Sequence, residues 1–136
     1  MNVRAASAGD AAGIASLLAQ LGYPAEPDAV ATRLERLDAE ALVADDGGAV
    51  LGLAAVQVMH VLEHDAPVAR LTALVVREDA RRRGVARALV DAVEARAREA
   101  GCERLHVTTA GRRADAHAAY LSLGFAETGR RFGKAL

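Results

Sequence analysis

The sequence has 136 residues, enough for one compact domain with its own core and too few for two of ordinary size. It is 52% hydrophobic and 26% charged, and its net charge of -1 lacks the phosphate-neutralising field on which general nucleic-acid binding rests. Cys102 stands alone, which excludes an internal disulfide framework and a cysteine metal site.

The N-terminal MNVRAASAGD carries no signal-peptide core, and no apolar run reaches membrane-spanning length without polar interruption. A soluble protein of the reducing cytoplasm, without nucleic-acid or membrane partners, is therefore expected. Val3–Ala6 reads as a first strand. Ser7-Ala8-Gly9-Asp10 then reads as a capping box, in which Asp10 reaches back to the start of the helix. Ile14, Leu17, Leu18 and Leu21 recur at helical spacing up to Gly22. After a proline-punctuated loop, Asp28 is the expected cap of a second helix carrying Val30, Leu34 and Leu37.

Residues 41–45 (ALVAD) read as a strand, Asp46-Gly47-Gly48 as a hairpin turn, and residues 49–62 as a long central strand. Residues 63–67 turn the chain into a further strand, 68–76. A loop containing Arg81-Arg82-Arg83 comes next, then a helix from about Gly84 to Ala100 with Val85, Ala88, Leu89, Ala92, Val93 and Ala97 on its apolar face. A strand at 103–109, a short helix at 113–124 and a last strand at Phe125–Phe132 complete the chain. The order β-α-α-β-β-β-α-β-α-β makes an α/β (α+β) protein: a mixed, mostly antiparallel sheet with helices on its faces.

In isolation, RRRG is an ordinary solvated loop. Its place between a strand and an amphipathic helix makes it a candidate anion site. The first turn of a helix offers backbone N–H groups without partners and the positive end of the dipole. Gly84 removes a side chain where a ligand would approach, Ala86 keeps the next position narrow, and arginines add attraction. The lysine of a Walker loop is absent, and so is the GxGxxG of a dinucleotide fold.

Arg81-x-x-Gly84-x-Ala86 after LVV resembles the acetyl-coenzyme A motif of the GCN5-related N-acetyltransferase (GNAT) family. Downstream, AAYLSLGF resembles that family's Y-x-x-L-G-F segment at Tyr120, Leu123, Gly124 and Phe125. The ADAHAAY context resembles its aminoglycoside N-acetyltransferase-like subgroup. The resemblance implies one domain over residues 1–136 with the acyl-CoA N-acyltransferase fold. That fold has six or seven strands flanked by four helices, and its sheet splays between the fourth and fifth strands. It also implies acetyl-coenzyme A as cofactor: its pantetheine arm on the backbone of Leu74, Val75 and Val76, its pyrophosphate on the amides of Arg81, Arg82, Arg83, Gly84, Val85 and Ala86. Two residues depart from the pattern. Arg82 stands where many members have glycine, and Arg113 where many have a cofactor-contacting asparagine.

Acetyl transfer to an amine requires a neutral amine in near-attack position, a donor for the developing oxyanion, and a proton for the departing thiolate. The resemblance assigns that proton to Tyr120, which by spacing also lies on an apolar stripe with Ala116, Ala119 and Leu123. The base is open among Glu63, His64, Asp65, His60, His106, His117 and water; residues 63–65 read equally well as a plain polar turn. No metal-ligand spacing and no nucleophile elbow are present. The reading is an acetyl-CoA-dependent N-acetyltransferase acting on a primary amine of a small molecule or peptide. Its alternative is an acyl-CoA-binding regulatory module without turnover. A homodimer is left open.

Overall fold

The most apolar run in the sequence becomes the middle of the sheet. β3 (Ala49–Met59) is buried without interruption from residue 51 to 56, as a strand covered on both faces must be. The computed structural model describes residues 1–108, 114–129 and 131–136, which gather into two compact units, Met1–His106 and Val107–Leu136.

In the first unit the strand order follows the sequence: β1 (Asn2–Ala5), β2 (Glu40–Asp46), β3, β4 (Val68–Val76) and β5 (Leu105–Val107), whose last residue opens the second unit. The β1–β2, β2–β3 and β3–β4 pairs are antiparallel. The 46–48 turn closes the β2–β3 hairpin, with the Gly48 N–H donating to Asp45 Oδ1 at 3.1 Å. Ala69 N–H donates to Arg104 O at 3.3 Å and ties the start of β4 to the residue before β5.

Cross-strand register assigns the faces. Val43, Leu53 and Val75 form one row. They pack with Ala11, Ile14, Ala15 and Leu17 of α1 (Ala11–Leu21) and Val30 of α2 (Pro27–Glu35). The next row, Ala44, Gly52 and Val76, belongs to the opposite face because side chains alternate. There α3 (Val85–Glu99) buries Val85, Leu89, Val90, Val93 and Ala97. Gly52 permits this approach: a Cβ at that position would lie 2.9 Å from both Val85 Cγ1 and Leu89 Cδ1. The bare glycine thus sets how closely the first turn of α3 rests on the sheet. Ala88 and Ala92, expected on the buried face, are half-buried, and Val90 takes the deeper position.

The capping box forms as expected. Asp10 Oδ2 accepts from the Ser7 N–H at 2.8 Å at the head of a 3₁₀ turn that leads into α1. The same carboxylate takes a bidentate grip from Arg4, with bonds of 2.8 and 2.9 Å, and Arg4 Nε also reaches Asp45 at 2.8 Å.

The second unit contains α4 (Ala114–Ser122) and the chain after it. The Gly124 N–H donates to Leu121 O at 3.1 Å and the Phe125 N–H to Tyr120 O at 3.0 Å. With Gly124 at φ +95°, this is a Schellman stop. Its accompanying apolar contact is the edge-to-face pair of Tyr120 and Phe125, with ring centroids 5.7 Å apart.

Several expectations need correction. The described residues make a five-stranded sheet, not one of six or seven. The segment expected as a last strand is not strand at 125–129 or 131–132. Between its two phenylalanines it offers only Ala126 as an apolar residue and carries a glycine and two arginines, so no apolar row exists to bury. α2 begins at Pro27, whose ring presets φ for a first helical position, with Glu26 extended before it in place of an Asp28 cap. That helix ends at Glu35, which leaves Leu37 outside it and exposed. β3 ends at Met59, three residues early, so His60 is past the strand. β5 is confined to Leu105–Val107. Thr109, the end of the expected strand, and Arg113, with its questioned cofactor contact, lie outside the described residues.

Candidate functional site

The site is built where β4 leaves the sheet. Opposite Ala55 and Val56 of β3 stand Ala73 and Leu71, so Thr72 is an extra residue in β4: a β-bulge. The Thr72 hydroxyl donates to Ala55 O at 3.3 Å. Past the bulge, Val75 turns its side chain into the α1–α2 core, while Leu74 and Val76 are half-buried. The Arg77 N–H to Leu51 O bond makes Leu53 and Val75 a hydrogen-bonded pair, so Val75 spends its backbone groups on β3, and Leu74 and Val76 turn theirs to the other side.

Three bonds then hold the strand exit. The Arg77 N–H donates to Leu51 O at 2.8 Å. From α1, Gln20 Nε2 donates to Val76 O at 2.7 Å, and Gln20 Oε1 accepts from the Glu78 N–H at 3.1 Å. A 3₁₀ turn over Glu78–Ala80 buries Ala80 completely.

The arginine loop comes next. Arg81 is extended; Arg82, at φ +63°, is the described non-glycine residue with positive φ. Gly84 adopts φ +77° and stands at the N-cap of α3, with no side-chain cap and no acidic residue in the first turn of the helix. The Ala88 N–H donates to Gly84 O at 3.0 Å, so the Val85 and Ala86 amides ahead of it have no intrahelical acceptor. A Cβ on Gly84 would meet nothing within 4 Å. A side chain at Gly84 would thus enter open space.

The electrostatics favour an anion there. Arg81, Arg82 and Arg83 are all exposed. Arg77 is paired with Asp79, and Arg83 with Asp46 at 3.5 Å. Arg81 and Arg82 form no ion pair among the described residues. Uncompensated guanidinium charge beside an uncapped helix N-terminus is suited to a phosphate or diphosphate. The Val85 side chain, 2% exposed, is buried with the core, which leaves its amide as the group that faces the start of the helix.

Leu74, Val75, Val76 and Arg81 to Ala86 thus lie on one continuous strand, loop and helix of the first unit. Tyr120 belongs to the second unit, half-buried against Phe125. The base candidates Glu63, His64 and Asp65 are exposed in the β3–β4 turn, His60 is exposed just before it, and His106 is half-buried on β5. His117 lies 3.6 Å from Glu127 on exposed surface. Among the described residues no group of three or more His, Cys, Asp or Glu could hold a metal ion, and no helix is long and apolar enough to cross a membrane.

Sequence reading missed Thr72 and Gln20. In the sequence Thr72 shows only as a polar residue within the apolar run 71–76. Gln20 shows only as a polar residue three positions after Leu17, where the buried stripe of α1 would continue.

The family model described as the acetyltransferase (GNAT) family matches residues 13–125. No curated protein matches the sequence. Among solved structures, a transcriptional regulator from Bacillus halodurans C-125 superposes with a TM-score of 0.89 at 24% identity, over 99% of this chain and 99% of that one. A ribosomal-protein-alanine N-acetyltransferase from Brucella melitensis biovar Abortus 2308 does so with a TM-score of 0.86 at 20% identity, over 100% of both chains. An aminoglycoside N-acetyltransferase in complex with CoA gives a TM-score of 0.85 at 24% identity, over 99% of this chain and 93% of that one. At these identities the likeness is one of fold.

Proposed function

The chain belongs to the acetyltransferase (GNAT) family, and on that premise we propose that it moves an acetyl group from acetyl-coenzyme A to a primary amine of a small molecule or peptide by direct transfer. The observation that carries this reading is the start of α3. Its end is uncapped and left-handed at Gly84, where a side chain would enter open space. It is flanked by Arg81 and Arg82, which form no ion pair among the described residues. That donor set fits a diphosphate.

Acetyl-coenzyme A supplies an acetyl group activated as a thioester. The backbone from Arg81 to Ala86 holds its diphosphate, with the loop arginines adding charge. The outward backbone groups of Leu74 and Val76 would pair with its amide-bearing arm in the manner of an added strand, with Val75 between them held to β3. Val76 O already accepts from Gln20, so one lone pair remains on it for that purpose. A backbone N–H in the same segment is the donor for the carbonyl oxygen as negative charge develops. The Tyr120 hydroxyl gives a proton to the departing sulfur. The acceptor amine would attack in its neutral form and the C–S bond would break; the amine's proton would pass to solvent, from which Tyr120 would be reprotonated, and the described base candidates are exposed, apart from half-buried His106.

That exposure also favours the second reading, a module that binds acyl-coenzyme A and lacks turnover. Calorimetry with coenzyme A tests the shared premise, and Gly84→Glu is its control. The new carboxylate would stand at the N-cap of α3 and oppose an anion there by bulk and charge, and binding should fall below detection while the far-UV spectrum stays native. No binding by the wild-type chain at millimolar ligand, or normal affinity in the variant, would remove the anion site from this loop. A panel of amines with free thiol as readout then separates enzyme from module: amine-dependent thiol release supports transfer, and binding without release on any amine supports the module.

A further inference from the structure

Gln20 is remote in sequence from the arginine loop, by 56 residues to Val76 and 58 to Glu78. Its amide nevertheless uses both of its functions there, donating through Nε2 at 2.7 Å and accepting through Oε1 at 3.1 Å. A carboxamide offers both on one planar group at any ordinary pH, and asparagine would be one carbon short of the same reach. The two bonds flank Arg77, whose N–H is held by Leu51 O at 2.8 Å. A side chain of α1 therefore replaces sheet pairing at the residues where β4 stops being a strand.

The loop beyond this clamp is conformationally demanding. Between Glu78 and the helix, the chain must bury Ala80 and then place Arg82 and Gly84 in the left-handed region. A segment with two such residues has many alternatives if its start is loose. Ordering it on ligand arrival would subtract from affinity. We propose that Gln20 is a positioning residue for the anion-binding loop: it fixes the loop's first residues from the helix packed beneath them, so that the Arg81–Ala86 amides are preset. This inference rests on the coenzyme A reading given above.

The test uses Gln20→Met, which keeps length and packing but loses both bonds, and Gln20→Leu, which loses both bonds in a shorter side chain without adding charge. Calorimetry, steady-state kinetics, thermal melting and hydrogen exchange at the Glu78 amide are measured on each. Loss of both bonds should weaken coenzyme A roughly 5- to 30-fold. The loss should fall on Kd and on KM for acetyl-coenzyme A, with kcat lowered less than about threefold, and Glu78 exchange should accelerate. Should Gln20→Met fail to fold, Gln20→Leu decides, with the same direction in Kd and in Glu78 exchange. Affinity within about twofold of wild type despite accelerated Glu78 exchange would overturn the proposal, as would a fall in kcat with KM unchanged. Unchanged Glu78 exchange in Gln20→Met would overturn the clamp itself. Failure of the wild-type chain to bind coenzyme A would instead overturn the cofactor reading, and the exchange data would then judge the clamp alone.

Discussion

Tyr120 has two jobs in one motif. Its carbonyl accepts from Phe125 and its ring packs edge-on against Phe125, so Y-x-x-L-G-F is first of all a helix stop. Neither contact uses the hydroxyl, and that is the group the proposed mechanism needs. Tyr120→Phe separates the two, since it keeps the ring and the stop and removes the hydroxyl. We expect turnover to fall roughly 10- to 1,000-fold with coenzyme A affinity little changed; unaltered steady-state turnover would take Tyr120 out of the chemistry. Arg82 is clarified at the same scale. Its φ of +63° lies where glycine is at ease, so a side chain costs roughly 1–2 kcal/mol of backbone strain, which explains why glycine suits this position. In exchange, the loop gains a cation without an ion pair among the described residues.

Among the elements, α3 is the one whose placement matters most. Its N-terminus is the anion site, and Val85, at that end, is pressed onto the sheet opposite Gly52. Gly52→Val would put methyl groups where even a Cβ is 3.2 Å from Val75 O and 2.9 Å from two α3 side chains. The helix must lift or tilt. Urea denaturation should show a loss of about 1–3 kcal/mol from overpacking. Because the first turn of α3 moves with Val85, coenzyme A affinity should fall with it. A variant that loses stability but keeps full affinity would show that the site does not depend on how closely α3 rests on the sheet.

For the whole molecule, the Arg4–Asp10–Asp45 set ties β1, the hairpin end of β2 and the start of α1 together. The Arg4 guanidinium, aided by the Ser7 N–H and opposed by burial, holds the Asp10 carboxyl at about 2 against its ordinary 3.8. Asp45 is lowered as well, again chiefly by Arg4. A carboxyl depressed in the folded state adds stability above its unfolded pKa, and that stability drains away as pH falls through the folded value. The urea midpoint should therefore drop as the medium is acidified from about pH 4 to pH 2, beyond what general protonation gives. Asp10→Asn should flatten that slope; an unchanged slope would mean that Arg4 does not hold this carboxyl.

The order of the elements in the first unit was legible, though not every boundary, because their signals are local. The unbroken burial of residues 51–56, the 46–48 turn and the period of α3 are each written in a few neighbouring residues. So was the loop, because Arg81, Gly84 and Ala86 stand close together and directly before a helix. The expected sixth strand failed for the converse reason, since aromatic ends alone do not make a row to bury. Only the tertiary structure decided the rest. The Thr72 bulge exists because β3 and β4 pair out of step by one residue. Gln20 meets Val76 and Glu78 because α1 is packed on the sheet, and Gly52 matters because α3 lies over it. A chain pattern can state which residues turn inward. It cannot state which inward residues will meet, because that depends on register and on helix placement, set by every contact at once.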